Sequence, residues 1–241
     1  MANPTAAIII IGNEILSGRT LDINTQEIAI RLSEMGITLV ETSTIPDNRR
    51  MIIEMVRKFS SSYDYVFTTG GIGPTHDDIT AESVAAAFEL PYTRNQEIYE
   101  ILKKHYHGLG EELNAAREKM AYIPESSELI YNDATMVPGF ATRNVFCMAG
   151  IPNIMKAMLQ SVLPKLQKGE VVKSKTIEVM LGESKIAVQL DDLQKKYPNV
   201  DIGSYPFTKD GVHGTSLVLR SVDYGDLDRS FEALKKICDS A

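Results

Sequence analysis

An unbroken apolar run at residues 6–11 constrains the fold of this chain more than any other feature of its sequence. The run consists of two alanines and four isoleucines, and Gly12 ends it. Continuous apolar runs that are rich in β-branched residues are typical of strands buried on both faces. Such strands belong to parallel sheets, whose crossover helices cover both sides. The sequence therefore predicts an α/β protein.

Helical and strand patterns alternate after this run. Residues 25–36 and 48–62 have apolar side chains at helical spacing, whereas residues 37–45 and 64–71 have strand composition. Alternation with short connections predicts a doubly wound, mostly parallel sheet that binds ligands beyond the carboxyl ends of its strands. The loops at those ends are residues 12–18, 46–48 and 70–78.

The remaining elements complete one large domain and one small one. The first domain continues with a helix at 80–89, a longer helical region at 105–119, strands at 128–131 and 144–150, and a helix from Pro152. Because the composition turns polar near residues 168–173, we place the domains at 1–168 and 173–241. The strand, helix, strand, strand, helix order of the second domain predicts a small α+β module. Gly211 and Gly214 are expected to form its hairpin turn.

Composition and charge exclude several classes of protein. The net charge of −7 and the pI near 5.2 argue against a protein that wraps nucleic acid. Cys147 and Cys238 are too far apart in sequence for a zinc motif or a disulfide framework, which favours a reducing compartment. Residues 6–11 are too short for a signal peptide or a membrane span. We expect a cytoplasmic protein without nucleic-acid or membrane partners.

The strongest motif is Thr-Thr-Gly-Gly-Ile-Gly-Pro-Thr-His-Asp-Asp-Ile-Thr, residues 68–80, between a predicted strand and a predicted helix. Its glycines let the backbone approach a ligand closely, and the helix start offers N–H groups that favour phosphate. Asp77 and Asp78 lie beside this anion site. Carboxylates next to phosphate indicate Mg²⁺ or a similar hard cation that bridges them. A tight turn with an Asp cap is the structural alternative, although it does not require so many glycines and acids.

Two further acids follow predicted strands. Glu14 lies just beyond Gly12, and Asp47 follows Pro46 at the end of the second strand. Each could belong to a simple turn. The position of Glu14 at a strand end favours a function, whereas Asp47 taken alone favours a turn with a structural role only. If the predicted fold is right, Glu14, Asp47 and Asp78 should converge in one pocket.

Taken together and in order, these motifs resemble the molybdopterin-binding domain of the MoaB/Mog type, and within it the competence/damage-inducible CinA type. The matching motifs are G-N-E-I-L-S-G at Gly12, D-I-N-T at Asp22, P-D at Pro46, the motif at 68–80, A-Y-I-P at Ala121, P-G at Pro138 and G-I-P at Gly150. They cover most of residues 5–165. The segment from about Lys173 resembles the KH-like module that follows this domain in CinA-type proteins.

The resemblance implies a MoaB/Mog-like fold that binds a phosphate-bearing small molecule, a molybdopterin or a nucleotide. Asp47 and Asp78 match acids that are essential in pterin-adenylylating members, and are therefore expected to be catalytic. A divalent metal, Mg²⁺ or similar, is expected on Glu14, Asp47 and Asp78. The residues expected to bind the ligand or its phosphates are Gly12, Asn13, Glu14, Gly70, Gly71, Gly73, Pro74, Thr75, Asp77, Gly150 and Pro152. The resemblance also implies a homo-oligomer.

The chain departs from the family pattern at two acids. Asn13 stands where the family often has Asp, and Ile154 stands where it often has Glu. If either acid is a metal ligand in the family, the metal here is bound more weakly or is a different one. The printed sequence also ends without the nicotinamide-nucleotide deamidase domain of many CinA-type proteins, and we expect no amidase activity. The KH-like module lacks a G-x-x-G clamp at a helix start, which disfavours nucleic-acid binding.

Three functions fit the sequence. The first is metal-dependent hydrolysis of a pyrophosphate such as ADP-ribose or a flavin dinucleotide, which the CinA resemblance implies. The second is adenylyl transfer from Mg²⁺-ATP to a pterin or flavin phosphate by the same acids. The third is a binding protein without catalysis, which the two missing acids favour.

Overall fold

The computed structural model describes residues 3–209 and 211–239, in which two compact units, residues 1–169 and 170–241, are distinguished. The elements of the first unit are, in chain order, β1 (Thr5–Ile11), α1 (Asn13–Leu16), α2 (Asn24–Glu34), β2 (Thr38–Ile45), α3 (Arg49–Ser62), β3 (Tyr65–Thr69), α4 (Thr80–Ala87), β4 (Tyr92–Arg94), α5 (Gln96–Gly108), α6 (Ala115–Glu118), β5 (Tyr122–Pro124), β6 (Glu128–Ile130), β7 (Gly139–Thr142), β8 (Val145–Met148) and α7 (Pro152–Val162).

A six-stranded sheet in the order β2-β1-β3-β8-β7-β6 forms the centre of the first unit. The first four of these strands are parallel, and β7 and β6 extend the sheet in antiparallel fashion. The predicted doubly wound, mostly parallel sheet is therefore confirmed.

Strand β1 is buried on both faces, as its apolar run predicts. Ala7, Ile9 and Ile11 pack in a core with Ile52, Val56 and Phe59 of α3. On the opposite face, Ala6, Ile8 and Ile10 pack with apolar residues of α2 and α7. Because every side chain of residues 6–11 is at most 4% exposed, the strand is fixed between two layers of helices.

The predicted helical region at 105–119 is wrong in its extent. Helix α5 already begins at Gln96 and ends at Gly108, and α6 begins only at Ala115. Gly110 between them has a left-handed φ of +71°, a conformation that ends a helix. The Asn114 side chain then caps α6 by accepting a 3.0 Å hydrogen bond from the Arg117 amide.

The second unit contains β9 (Lys173–Val179), α8 (Ala187–Lys196), β10 (Asp201–Lys209), β11 (Val212–Ser221) and α9 (Tyr224–Asp239). Its antiparallel sheet has the order β10-β11-β9, and Leu217 and Leu219 of β11 pack in one core with apolar residues of both helices. The predicted hairpin turn is only partly right. Of its two glycines, Gly211 lies outside the strands, whereas Gly214 lies inside β11 opposite Phe207. No helix in the described parts of either unit has the length and apolar composition to cross a bilayer.

Candidate functional site

The carboxyl ends of three neighbouring strands bring the predicted loops together. Strand β1 pairs in parallel with both β2 and β3, and Ile11 lies opposite Ile45. On its other side, Ile10 lies opposite Thr69. The loops at 12–18, 46–48 and 70–78 therefore leave the sheet at the same edge.

Hydrogen bonds fix Asp47 against the first of these loops. The Asn13 amide donates a 3.0 Å hydrogen bond to Asp47 Oδ2, and the Gly12 amide donates to the Ile45 carbonyl at 3.1 Å. Asn48, the next residue, caps α3 by accepting a hydrogen bond from Met51. The turn after β2 is thus held on both sides, which limits the positions that the Asp47 carboxylate can take.

Gly70 and Gly71 are required by the backbone path of the third loop. Their φ angles are +101° and +69°, which L side chains rarely adopt. A Cβ atom on Gly70 would lie 2.2 Å from the Ile11 carbonyl oxygen, and one on Gly71 would lie 2.2 Å from Thr80 Oγ1. Thr80 closes the loop, since its hydroxyl donates to the Gly70 carbonyl at 3.0 Å and its amide to the Gly71 carbonyl at 2.9 Å.

Thr75 organises the two acids of this loop. Its amide donates to Asp78 Oδ2 at 2.8 Å, and its hydroxyl lies 2.5 Å from that atom and 2.6 Å from Asp77 Oδ1. The Thr75 hydroxyl and the backbone amide of Asp77 lower the pKa of the Asp77 carboxyl, with smaller contributions from His76 and Lys119. Asp77 is therefore an anion at neutral pH.

One cavity of about 580 Å³ lies over these loops and joins most of the predicted residues. The predicted residues that line it are Gly12, Glu14, Asp47, Gly70, Gly71, Gly73, Asp77, Asp78, Gly150 and Pro152. Asn13, Pro74 and Thr75 were also predicted to bind the ligand but do not line the cavity. Asn13 and Thr75 orient the acids instead, and Pro74 is exposed on the loop.

The cavity has an apolar half that sequence reasoning did not identify. Its members that were not predicted include Ile72, Met120, Val137, Ile151, Ile154 and Met158. Ile154 occupies the position where the family often has Glu. The cavity is therefore apolar at a position where family members often carry an acid. Apolar residues give no motif of their own, and only the folded chain shows that they face the same space.

Asn24 was also missed, although it belongs to the quoted D-I-N-T motif. It is buried at the start of α2, and its Nδ2 atom donates a 2.8 Å hydrogen bond to the Gly150 carbonyl. Its Oδ1 atom is buried without a hydrogen-bond partner in the part of the chain that is described. Asp22 holds this helix start by accepting hydrogen bonds from the amides of Asn24 and Thr25. Asn24 therefore fixes the Gly150 wall of the cavity, a role that depends on a contact across 126 residues.

The charge of the cavity is unbalanced. The charged residues that line it are Glu14, Asp47, Asp77 and Asp78, and no Lys or Arg is found among its described lining residues. Phosphate groups would be repelled by such a wall unless a cation lay between them. Within residues 3–209 and 211–239, no three His, Cys, Asp or Glu side chains form a ready-made metal cage. The arrangement fits a cation that takes one or two carboxylates and completes its shell with ligand oxygens and water.

Comparisons with known proteins agree with this architecture. The family described as "Probable molybdopterin binding domain" matches residues 7–168, and the family described as "FAD synthase, middle domain" matches residues 171–241. A protein of Archaeoglobus fulgidus is 39% identical over 199 residues, which cover 83% of this chain and 84% of that protein. A "Probable FAD synthase" of Caenorhabditis elegans is 31% identical over 257 residues, which cover 97% of this chain but only 50% of that protein. The chain thus spans half the length of that relative.

A solved structure supports the same relationship. The first two-thirds of the chain resemble the crystal structure of the protein CinA of Thermoplasma acidophilum, whose function is described as unknown. The two chains are 30% identical with a TM-score of 0.63, and the match covers 68% of this chain and 99% of the other. The chain therefore belongs to the family of molybdopterin-binding domains, with a CinA-like first unit followed by a segment of the FAD synthase middle-domain type.

Proposed function

We propose that this chain is a metal-dependent pyrophosphatase that hydrolyses a dinucleotide or an ADP-ribose-like compound. One observation carries the proposal. Three loops that follow three parallel strands bring Glu14, Asp47 and Asp78 to one cavity beside a glycine-rich loop. Carboxylates beside a phosphate-binding loop are favourable when a divalent cation bridges the carboxylates and the phosphate.

The donor atoms in the cavity suit a hard cation. Carboxylate oxygens are the ligands that Mg²⁺ and Mn²⁺ prefer, and soft ligands such as Cys or Met are not needed. Asp78 and either Glu14 or Asp47 would hold the metal. When bound, it supplies a Lewis acid that neutralises the charge of the pyrophosphate.

The two halves of the cavity suit the two chemical parts of such a substrate. Gly70, Gly71 and Gly73 lack side chains where the phosphates would approach the backbone. Ile72, Met120 and other apolar residues offer a surface for a planar ring such as adenine or a flavin. A volume of about 580 Å³ lies within the usual range for small-molecule sites.

The reaction consumes one water molecule. A lining carboxylate accepts a proton from the attacking water, whose oxygen forms a bond to one phosphorus atom. The bond from that phosphorus to the bridging oxygen breaks, and the bridging oxygen leaves with the electron pair. ADP-ribose thereby gives AMP and ribose 5-phosphate, and flavin adenine dinucleotide gives AMP and flavin mononucleotide.

The relatives favour a flavin as the ring and also support a second function. The segment 171–241 matches the FAD synthase middle domain, and the Caenorhabditis elegans relative is named a probable FAD synthase. The same acids with Mg²⁺-ATP could instead transfer an adenylyl group to flavin mononucleotide, releasing pyrophosphate. Because this chain spans half of that relative, its activity is not transferred as a whole.

AMP release from ADP-ribose and from flavin adenine dinucleotide distinguishes these functions. The purified chain is incubated with each substrate and Mg²⁺ or Mn²⁺, and then with flavin mononucleotide and ATP. The hydrolase releases AMP without ATP, whereas the transferase releases pyrophosphate only when ATP and the flavin phosphate are both present. Turnover in neither assay, combined with tight ligand binding in calorimetry, would leave a binding protein.

A further inference from the structure

Lys119 lies behind the glycine loop and is tied to it. It begins the short 3-10 turn Lys119–Ala121 after α6, and its side chain is half-buried. Its Nζ atom donates a 2.8 Å hydrogen bond to the Thr75 carbonyl, which joins segments 44 residues apart. Thr75 is the residue whose amide and hydroxyl contact Asp77 and Asp78. Lys119 thus holds the residue that orients both acids.

The loop is anchored near both ends by Ile72 and Ile79, which pack against the core, and is exposed at residues 74–77. A second cavity of about 20 Å³, enough for about one water molecule, is lined by Lys119 together with Gly71, Gly73 and Asp78. Gly71, Gly73 and Asp78 also line the large cavity, so the loop is a thin wall between two spaces. Because residues 74–77 are exposed, their position depends mainly on hydrogen bonds.

Lys119 also brings a positive charge to the loop that carries Asp77 and Asp78, because its ammonium group is hydrogen-bonded to the Thr75 carbonyl. Arg49, two residues after Asp47, is paired with Glu82 at 3.0 Å. An ammonium group beside neighbouring carboxylates reduces their mutual repulsion, and Lys119 can do this without entering the cavity.

We propose that Lys119 is a positioning residue that holds Thr75 so that Asp77 and Asp78 present their carboxylates to the cavity. Its effect on the loop is independent of any ligand. Its effect on catalysis rests on the proposed pyrophosphatase function. The two effects are separable by experiment, because the order of the loop can be measured in the free chain.

Hydrogen exchange of the amides at residues 70–80, followed by mass spectrometry, tests the inference on the full chain. We expect Lys119→Met to speed exchange of this segment about tenfold, because a charge-assisted hydrogen bond to Thr75 is lost. Lys119→Arg retains a donor and a positive charge and should largely restore protection. Lys104→Met, at an exposed position of α5, is the matched control and should leave exchange unchanged. Unchanged exchange in Lys119→Met would overturn the inference.

Kinetics then separate this inference from the proposed function. If the chain releases AMP, Lys119→Met should lower kcat about tenfold and Lys119→Arg should restore most of it. A wild-type chain that releases no AMP counts against the pyrophosphatase, whereas the exchange result still decides the role of Lys119. Equal kcat values for the wild type and Lys119→Met would overturn its role in catalysis.

Discussion

The two units of this chain each contain a large depression, but only one of them gathers charges of a single sign. The cavity of the first unit holds four acids placed by strand ends and by glycines of positive φ. The second unit has a larger groove of about 780 Å³ between α8 and α9. Its charged residues are of both signs and lie on helix surfaces: Asp192, Lys196, Asp228, Arg229, Glu232 and Lys236. The larger depression is therefore not the one in which charges of a single sign are held together by the backbone.

The largest expected effect concerns the acids of the two depressions. Asp78→Asn should lower metal-dependent AMP release by roughly 10²–10³-fold, because a carboxylate that would hold the metal beside the reacting phosphate is lost. Asp228→Asn is the matched change in the second unit, where Asp228 pairs with Lys175 at 2.8 Å on the surface. It should change the rate by less than about twofold. Equal losses in the two variants would break the distinction between the depressions.

The next effect concerns the glycines that shape the first cavity. Gly70→Ala should lower the free energy of unfolding by about 3 kcal/mol or more, since the new methyl group meets the Ile11 carbonyl and φ is +101°. Gly18 also has a positive φ, +71°, but nothing lies within 4 Å of its Cβ position. Gly18→Ala should therefore lower the free energy of unfolding by only about 1 kcal/mol. Urea unfolding followed by far-UV circular dichroism measures both, because the chain has no Trp. Equal losses of stability in Gly70→Ala and Gly18→Ala would show that the close approach of Gly70 to Ile11 does not determine the effect.

A smaller effect is expected at the Gly150 wall. Asn24→Ala removes the donor to the Gly150 carbonyl and should lower the free energy of unfolding by about 1–2 kcal/mol. Asn153→Ala, nearby on α7 but exposed, is the control and should stay within about 0.5 kcal/mol of the wild type. Urea unfolding measures both variants. An unchanged free energy of unfolding in Asn24→Ala would contradict the role assigned to Asn24.

The smallest effect is a pH dependence of the first unit. Burial raises the pKa of the Cys147 thiol to about 12, above its ordinary value of 9.0. Between these two pH values, the Cys147 thiol therefore stays protonated in the folded state but is ionised in the unfolded state. Its contribution to the free energy of unfolding is fully present below pH 9 and is lost as the pH rises towards 12. The free energy of unfolding should fall by about 1 kcal/mol between pH 8 and pH 10. Cys147→Ala should reduce this slope, and an identical slope in the variant would refute the assignment.

Much of the fold could be predicted because the sheet pattern is local in the sequence. The run at residues 6–11 and the alternation after it are sufficient for β1, β2 and β3 and for α2 and α3, whereas α1 lies within the predicted loop at 12–18. Strands β4, β5 and β7 were missed, since they have three or four residues and no periodicity. The first two form a separate two-stranded sheet whose partners lie far apart in sequence. Such strands are defined by their tertiary pairing and not by composition.

The candidate site was predictable only where acids and glycines follow strands. Glu14 was found because it follows a strand, and Asp78 because it lies in the glycine-rich motif. The role of Asp47 was implied only by the resemblance to the MoaB/Mog family. No role was predicted for the side chains of Thr80 and Lys119, because their contacts join residues that are distant in sequence. The assignment of Thr75 as a phosphate ligand remains a prediction, although the structure places it behind the acids as a donor to them. Residues that orient others give no pattern until the chain is folded.

Anomalous diffraction from crystals grown with Mn²⁺ and a methylene-bridged ADP-ribose analogue tests the central claim most directly. We expect one strong manganese peak at coordination distance, about 2.2 Å, from the Asp78 carboxylate and from Glu14 or Asp47, with analogue phosphate oxygens completing the shell. The glycines of residues 70–73 should lie against those phosphates. Manganese bound elsewhere, or an analogue bound in the cavity with no metal between its phosphates and these acids, would show that these acids do not hold a catalytic metal.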